Sequence, residues 1–144
     1  MEYGAMKEKR VWRLLWVWGF IPVLVFAIRQ PKAGDAMARG FFIQVARMQW
    51  HNHAIVQHEL VHVRQFWRSL MLHGLLYNMW GWYRLHAEAE AYAEQLRWIP
   101  RAEFDQALSE FAGFLATMYR LNTNKAYTEL LIRVWWDKHP AWYV

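Results

Sequence analysis

The sequence contains the stretch Ala54-Ile-Val-Gln-His58-Glu59-Leu-Val-His62-Val-Arg-Gln-Phe-Trp-Arg-Ser-Leu-Met-Leu72. Its apolar residues recur at the spacing of one helix face. This periodicity predicts a helix over residues 54–72, with Asn52 as its N-cap. His58 and His62 are four residues apart, so the helix places both imidazoles on one face, roughly 6 Å apart along its axis. Two imidazoles in this arrangement can bind one tetrahedral zinc ion.

Glu59 follows the first of these histidines and is rotated to the side of the helix. There it can contact a zinc-bound water without ligating the metal, which is the H-E-x-x-H arrangement of zinc hydrolases. The alternative is a histidine pair and a glutamate that simply occur in a helix. Because Leu60 and Val61 between them are apolar, the polar side chains would need partners in a buried setting. We therefore expect His58 and His62 to bind a metal, with Glu59 as the catalytic base.

A catalytic zinc site usually has a third protein ligand and an open position. The chain has no cysteine, so that ligand must be His, Asp or Glu. The segment Leu85-His86-Ala-Glu88-Ala-Glu90-Ala-Tyr92-Ala93 supplies candidates on a second helix, predicted over residues 83–98. Alanine and glutamate are also strong helix formers, so the segment could be purely structural. Glu88 and Glu90 point to separate helix faces and cannot both ligate easily, and His86 is a further candidate.

Two runs of the sequence resemble the gluzincin clan of zinc metallopeptidases, whose best-known member is thermolysin. They are His58-Glu-Leu-Val-His-Val-Arg-Gln65 and the later Glu88-Ala-Glu-Ala-Tyr-Ala93. The similarity is greatest to small minimal gluzincins and covers residues 34–96. It implies that His58, His62 and Glu88 bind Zn²⁺, and that an edge strand preceding the helix receives an extended peptide. One departure is Tyr92, which stands where some relatives have an aspartate that orients a ligand. Tyr92 could orient a metal ligand or could simply pack in the core, and both interpretations are open.

Other groups in the sequence could complete such a site. The oxyanion formed during amide hydrolysis needs a hydrogen-bond donor besides the metal. The candidate donors are His73, Tyr77, Tyr83 and Tyr119, and the sequence does not distinguish among them. His51 and His53 could form a second metal site, although histidines in a turn are more often only solvated.

Composition restricts the partners. The formal net charge is +5, but basic residues are scattered among 12 acidic ones and no dense Lys/Arg stripe is present. We therefore expect no nucleic-acid partner. Residues 11–28 are apolar but interrupted by Arg13, Gly19 and Pro22, and no convincing signal-peptide cleavage site follows. This segment is either a membrane-associating arm or a helix or extended arm followed by a buried strand, so the chain is expected to be cytoplasmic or membrane-associated.

The remaining pattern predicts an α+β fold in a single metallopeptidase-like domain of residues 1–144. A small N-terminal hairpin or three-stranded sheet, with strands near residues 23–28, 35–39 and 41–48, would pack on about four helices. Residues 73–82 are expected to be a connector, and two further helices are expected over residues 101–121 and 123–138. The expected function is a zinc-dependent hydrolase that cleaves peptide bonds. The alternatives are a non-catalytic zinc-binding protein and a membrane-associated interaction protein.

Overall fold

Four strands precede five helices in the computed structural model, which describes residues 11–31 and 34–138. The strands are β1 (Trp12–Val17), β2 (Ile21–Ile28), β3 (Ala36–Arg39) and β4 (Phe42–Ala46). The helices are α1 (His53–Arg68), α2 (His73–Met79), α3 (Gly81–Leu96), α4 (Phe104–Thr117) and α5 (Lys125–Lys138). The predicted α+β class is confirmed, with a four-stranded sheet where a hairpin or three strands were expected. Residues 1–10 and 139–144, which complete the predicted domain, lie outside the described part.

The apolar N-terminal segment forms two paired strands. β1 and β2 are antiparallel and joined at Trp18 and Gly19, which have φ of 51° and 77°. Positive φ at both positions is typical of the type I′ turn, and the Phe20 N–H donates to the carbonyl of Val17 over 3.3 Å. The proposed arm is therefore a strand rather than a helix. Within the part of the chain described, no helix has the length and apolar character needed to cross a bilayer.

The sheet order β1-β2-β4-β3 leaves β3 at one edge. β2 and β4 are parallel, whereas β3 and β4 are antiparallel. Since side chains alternate along a strand, one face of the sheet carries Val17, Val23, Val25, Ile43 and Val45, all buried against α1. This packing fixes α1 beneath the sheet and beside β3, which contacts it directly.

A second core joins α3, α4 and α5 around Leu96, Leu108, Leu115 and Ile132. Because α1 packs along α3, the two cores meet at the interface of these helices. The motif histidines of α1 and the glutamates of α3 are buried at that interface. Packing of apolar surface from both cores is thus what brings the two groups of polar residues together.

The end of α1 and the segment after it differ from the prediction. Asn52 caps the N-terminus as expected, accepting from the Ile55 N–H over 3.3 Å. The helix ends at Arg68 rather than at Leu72. The Met71 N–H donates to the Phe66 carbonyl and the Leu70 N–H donates to the Trp67 carbonyl, and these two bonds form a Schellman motif. Residues 73–82, expected to be a connector, contain α2.

Candidate metal centre

The two motif histidines and Glu88 converge at the interface of α1 and α3. His58 Nε2 lies 3.3 Å from Glu88 Oε2, and His62 Nε2 lies 3.4 Å from Glu88 Oε1. One donor atom from each of the three side chains lies within 4.8 Å of the others. All three side chains are buried, and only 3% of Glu88 is exposed. The geometry thus brings together the three residues named as metal ligands from the sequence.

Two imidazole nitrogens and a carboxylate are a donor set that zinc accepts. The two His–Glu separations, 3.3 and 3.4 Å, end on different oxygens of Glu88, so the carboxylate lies between the two imidazoles. Glu88 Oε2 is buried and accepts no hydrogen bond from a described residue. A buried carboxylate oxygen in this state is costly unless it has a cationic partner.

Electrostatics binds the carboxylate and the imidazoles to each other when no metal is bound. Burial by itself would raise the pKa of Glu88, but the two adjacent histidines outweigh it and hold that pKa well below its ordinary value. Burial by itself would lower the pKa of His62, but Glu88, with a smaller effect from Glu59, raises it to about 9. A metal ion at Nε2 would have to displace a proton from His62, because its pKa is raised to about 9 in this state.

Gln65 determines which nitrogen of His62 is available to a metal. Its amide nitrogen donates to the Ala87 carbonyl over 3.0 Å and to Glu90 Oε2 over 2.9 Å. Its amide oxygen must therefore face His62 Nδ1, which lies 2.9 Å away. Because that oxygen only accepts, Nδ1 carries a proton and Nε2 of the neutral ring is left as the metal ligand.

Glu90, the rival third ligand, has a different position. It is held by Gln65 and by Arg68, whose Nη2 lies 2.7 Å from Glu90 Oε2. Arg68, Glu90, Gln65 and His62 thus form one hydrogen-bonded chain behind the metal site, which we call the His62 relay. Sequence reasoning gave no role to Gln65 or Arg68, although Gln65 stands three residues after His62 within the recognised run and on its face of the helix.

The other histidines considered as ligands are placed elsewhere. His86 packs against Trp82 with a ring-centroid distance of 4.2 Å, and burial lowers the pKa of His86. His51 and His53 are exposed in the turn before α1 and at its first residue. Within residues 11–31 and 34–138, only His58, His62 and Glu88 form a potential metal-ligand group.

Glu59 reaches across to the edge strand. Its Oε2 accepts a hydrogen bond of 2.7 Å from the Ala38 N–H, which anchors the side chain of the general-base candidate at the cleft wall. Since the N–H and C=O of a residue in an antiparallel strand point the same way, the Ala38 carbonyl also faces the cleft. Sequence reasoning could not find this contact, because Ala38 contributes only backbone atoms.

A cleft of about 510 Å³ opens over the potential ligands. β3 forms one wall, and Phe66, Met71, Tyr77 and Tyr119 contribute apolar or aromatic surface. An edge strand beside the motif helix was expected from the resemblance, and β3 occupies that position. The cleft is large enough to hold several residues of an extended chain.

The candidate oxyanion donors are now separated by position. His73, Tyr77 and Tyr119 line the cleft, whereas Tyr83 does not line it but shares a hydrogen bond of 2.9 Å with His73. Burial and the neighbouring His62 lower the pKa of His73 to about 4, so its ring is neutral at pH 7. The Tyr77 hydroxyl donates to Glu88 Oε1, and burial together with that carboxylate raises the pKa of Tyr77 above its ordinary value.

Tyr92 contacts His58 by packing and makes its hydrogen bond elsewhere. Its ring packs edge-on against His58 with centroids 4.5 Å apart, and its hydroxyl lies 2.9 Å from that of Tyr119. His58 Nδ1 is buried and has no hydrogen-bond partner among the described residues. Tyr92 therefore orients His58 by packing, and it connects this ligand to a residue of the cleft.

Comparison of the chain with protein-family models, with curated proteins and with solved structures gives no match. The resemblance to gluzincins accordingly depends on the motif residues alone.

Proposed function

We propose that this chain is a zinc-dependent hydrolase of the metallopeptidase type, with peptides or proteins as substrates. His58, His62 and Glu88 would hold the zinc ion, and Glu59 would be the catalytic residue. The observation that carries the proposal is the Glu88 carboxylate, buried between the Nε2 atoms of two histidines at 3.3 and 3.4 Å. This donor set, with an open cleft on one side, is the arrangement that catalytic zinc sites use.

The chemistry divides between the ion and the chain. When bound, zinc polarises a substrate carbonyl and lowers the pKa of water toward about 7. Glu59 takes a proton from the attacking water and delivers it to the nitrogen of the leaving amine. The Ala38 N–H engages Oε2 of Glu59, which leaves Oε1 as the oxygen that carries the proton.

The substrate cleft favours an extended peptide. β3 is an edge strand, and outward-facing backbone groups of an edge strand pair readily with another extended chain. Hydrogen bonds of this kind hold a peptide by its backbone and leave its side chains to the walls. The aromatic and methionine side chains of the cleft would accommodate apolar side chains of the substrate.

Elemental analysis tests the metal site. The purified full chain is expected to contain one equivalent of zinc, whereas His58→Ala and Glu88→Ala are expected to contain almost none. Glu94→Ala is a matched control, because Glu94 is buried on the same helix but pairs with Arg97 at 3.4 Å, away from the histidines. Equal zinc content in Glu88→Ala and Glu94→Ala would contradict the assigned ligand set.

Hydrolysis is tested with Glu59→Gln on a library of quenched fluorescent peptides. This variant is expected to retain zinc and to lose at least about a hundredfold in kcat, which is the scale of general acid–base catalysis. Wild-type activity in zinc-loaded Glu59→Gln would rule out the mechanism. Stoichiometric zinc without cleavage of any peptide by the wild type would instead favour a non-catalytic zinc-binding protein.

A further inference from the structure

The face of the sheet turned away from α1 is apolar along β1 and β2, whereas β4 presents Phe42 and the polar Gln44 on it. On β1 the outward side chains are Trp12, Leu14 and Trp16, of which 65%, 45% and 54% is exposed. Their partners across the strand pair are Phe26, Leu24 and Pro22. Phe42 of β4 continues the surface, with its ring 5.7 Å from that of Phe26. We call this surface, together with Trp18, Phe20 and Phe41 at its margin, the outer sheet face.

This arrangement is unusual for a sheet exposed on one side. Antiparallel strands with one solvated face normally alternate apolar and polar residues, but β1 and β2 are apolar on both faces apart from Arg13. Within residues 11–31 and 34–138, the helix packed on the sheet is α1, and it covers the opposite face. An apolar groove of about 550 Å³ runs along the outer sheet face beside Trp12, Leu24 and Phe26. A contiguous apolar surface of this kind marks an interaction site.

The charge of the molecule is concentrated in the same region. Residues 1–50 contain eight basic and three acidic residues, whereas residues 51–144 contain nine of each. The whole formal net charge of +5 thus belongs to the segment that forms the sheet and the chain before it. Arg29 is exposed at the end of β2, and Arg39 is exposed at the end of β3, where it also lines the cleft.

Aromatic residues in a positively charged setting match the chemistry of an anionic lipid surface. Tryptophan is enriched at the level of the lipid headgroups, where its ring is apolar and its N–H remains hydrated. Basic residues near the surface add attraction to anionic lipids. A second copy of the chain is a poorer partner, because pairing of two such faces would bring two positively charged regions together.

We propose that the outer sheet face docks this protein peripherally on an anionic lipid bilayer. The strands lie flat on the surface, the aromatic side chains enter the headgroup region and the basic residues contact lipid phosphates. This differs from the membrane-spanning alternative for residues 11–28, because β1 and β2 lie side by side on the surface. The docking does not require a metal or any hydrolytic activity.

Vesicle sedimentation with the full chain tests the proposal. The wild type is expected to bind vesicles of phosphatidylcholine and phosphatidylserine, at about a 3:1 ratio, more tightly than vesicles of phosphatidylcholine alone. Binding is expected to weaken at about 0.5 M NaCl. Trp12→Thr/Trp16→Thr should bind at least about tenfold more weakly, because each indole removes on the order of 100 Å² of apolar surface from water. Threonine suits the strand, and both tryptophans are exposed, so the fold should be retained.

The matched control is Trp80→Ala/Trp82→Ala, which removes two tryptophans of similar exposure, 52% and 56%, outside the sheet. This control should bind like the wild type. A second variant of the outer sheet face, Phe20→Ser/Leu24→Thr, gives the same test if the first does not fold. No preference for anionic vesicles, or an equal loss in the control, would overturn the proposal. It would also be overturned by a dimer that the Trp12→Thr/Trp16→Thr variant dissociates without any vesicle binding.

Discussion

Replacement of Gln65 by leucine isolates the contribution of the His62 relay to metal binding. Gln65 is 2% exposed and makes three hydrogen bonds of 2.9–3.0 Å, to His62, Ala87 and Glu90. Leucine has a similar volume, so the variant removes these bonds without opening a large cavity. His62 then loses the acceptor that keeps the proton on Nδ1 and directs Nε2 toward Glu88.

The expected magnitude follows from separating two effects. The loss of the Gln65 bonds to the Ala87 carbonyl and to Glu90 destabilises the fold by about 1–3 kcal/mol. This cost is present with and without metal, and it therefore cancels in the dissociation constant. The His62–Gln65 bond is present without metal as well, so the dissociation constant changes only by the extra orienting effect that this bond has when a metal is held at Nε2. Loss of such a partner behind a ligand typically lowers metal affinity by about 10–100-fold, equivalent to about 1.4–2.7 kcal/mol.

Two measurements keep these effects apart. Competition with a chromophoric chelator gives the zinc dissociation constant, and urea unfolding of the metal-free protein gives the stability. Gln57→Leu is the control, since Gln57 is a half-buried glutamine of the same helix outside the relay. If Gln65→Leu lowers the stability but leaves the zinc dissociation constant within about twofold of the wild type, the relay does not position His62.

Three further changes have definite expected outcomes. Because His62 has a pKa of about 9 in the metal-free protein, zinc binding near pH 7 should release about one proton. The affinity for zinc should therefore rise roughly tenfold per pH unit up to pH 9. Calorimetry in buffers of different ionisation enthalpy measures both the proton release and the affinity. The raised pKa also means that protonated His62 stabilises the metal-free fold. This stabilisation is complete below pH 6.5 and is lost as the pH rises to 9. A urea midpoint that does not fall between these pH values would contradict the prediction. Leu70 is 81% exposed and has a φ of 53° at the end of α1, a conformation that strains a leucine but not a glycine. Leu70→Gly should therefore raise the free energy of unfolding by about 0.5–1 kcal/mol. An unchanged thermal midpoint would show that this backbone strain is absent. Gly40 has a φ of +68°, and an added Cβ would lie 3.1 Å from the Phe66 ring. Gly40→Ala should therefore lower the free energy of unfolding by about 1–3 kcal/mol. Wild-type stability of this variant in urea would show that the loop relaxes.

Local patterns were enough to predict the parts of the site that lie on one helix. The spacing of His58 and His62 is a property of the helix itself, so the convergence of the two imidazoles does not depend on the rest of the fold. The N-cap at Asn52 is local in the same way. Residues 73–82 were not recognised as helical because glycine and aromatic residues there have weak helix propensity. In the structure, Tyr77 bonds to Glu88 and His73 to Tyr83, and these tertiary contacts support α2.

The sheet was predicted only in part, because its central pairing is long-range. The hairpin of β1 and β2 has a local signal in its turn, whereas the parallel pairing of β2 with β4 joins segments separated by β3. The outer sheet face follows from that pairing. From the sequence, residues 11–28 were consistent with a membrane-associating arm, or with a helix or extended arm followed by a buried strand.

The sequence by itself determined the helix that carries the H-E-x-x-H motif, the α+β class and the set of residues from which the third ligand must come. Only the tertiary structure shows which of Glu88, Glu90 and His86 lies beside the two histidines, because this depends on how α3 lies against α1. In that packing Glu88 faces the two histidines, Glu90 faces Gln65 and Arg68, and His86 packs against a tryptophan. Helical spacing sets which side chains share a face, but burial of two separate cores sets which faces meet.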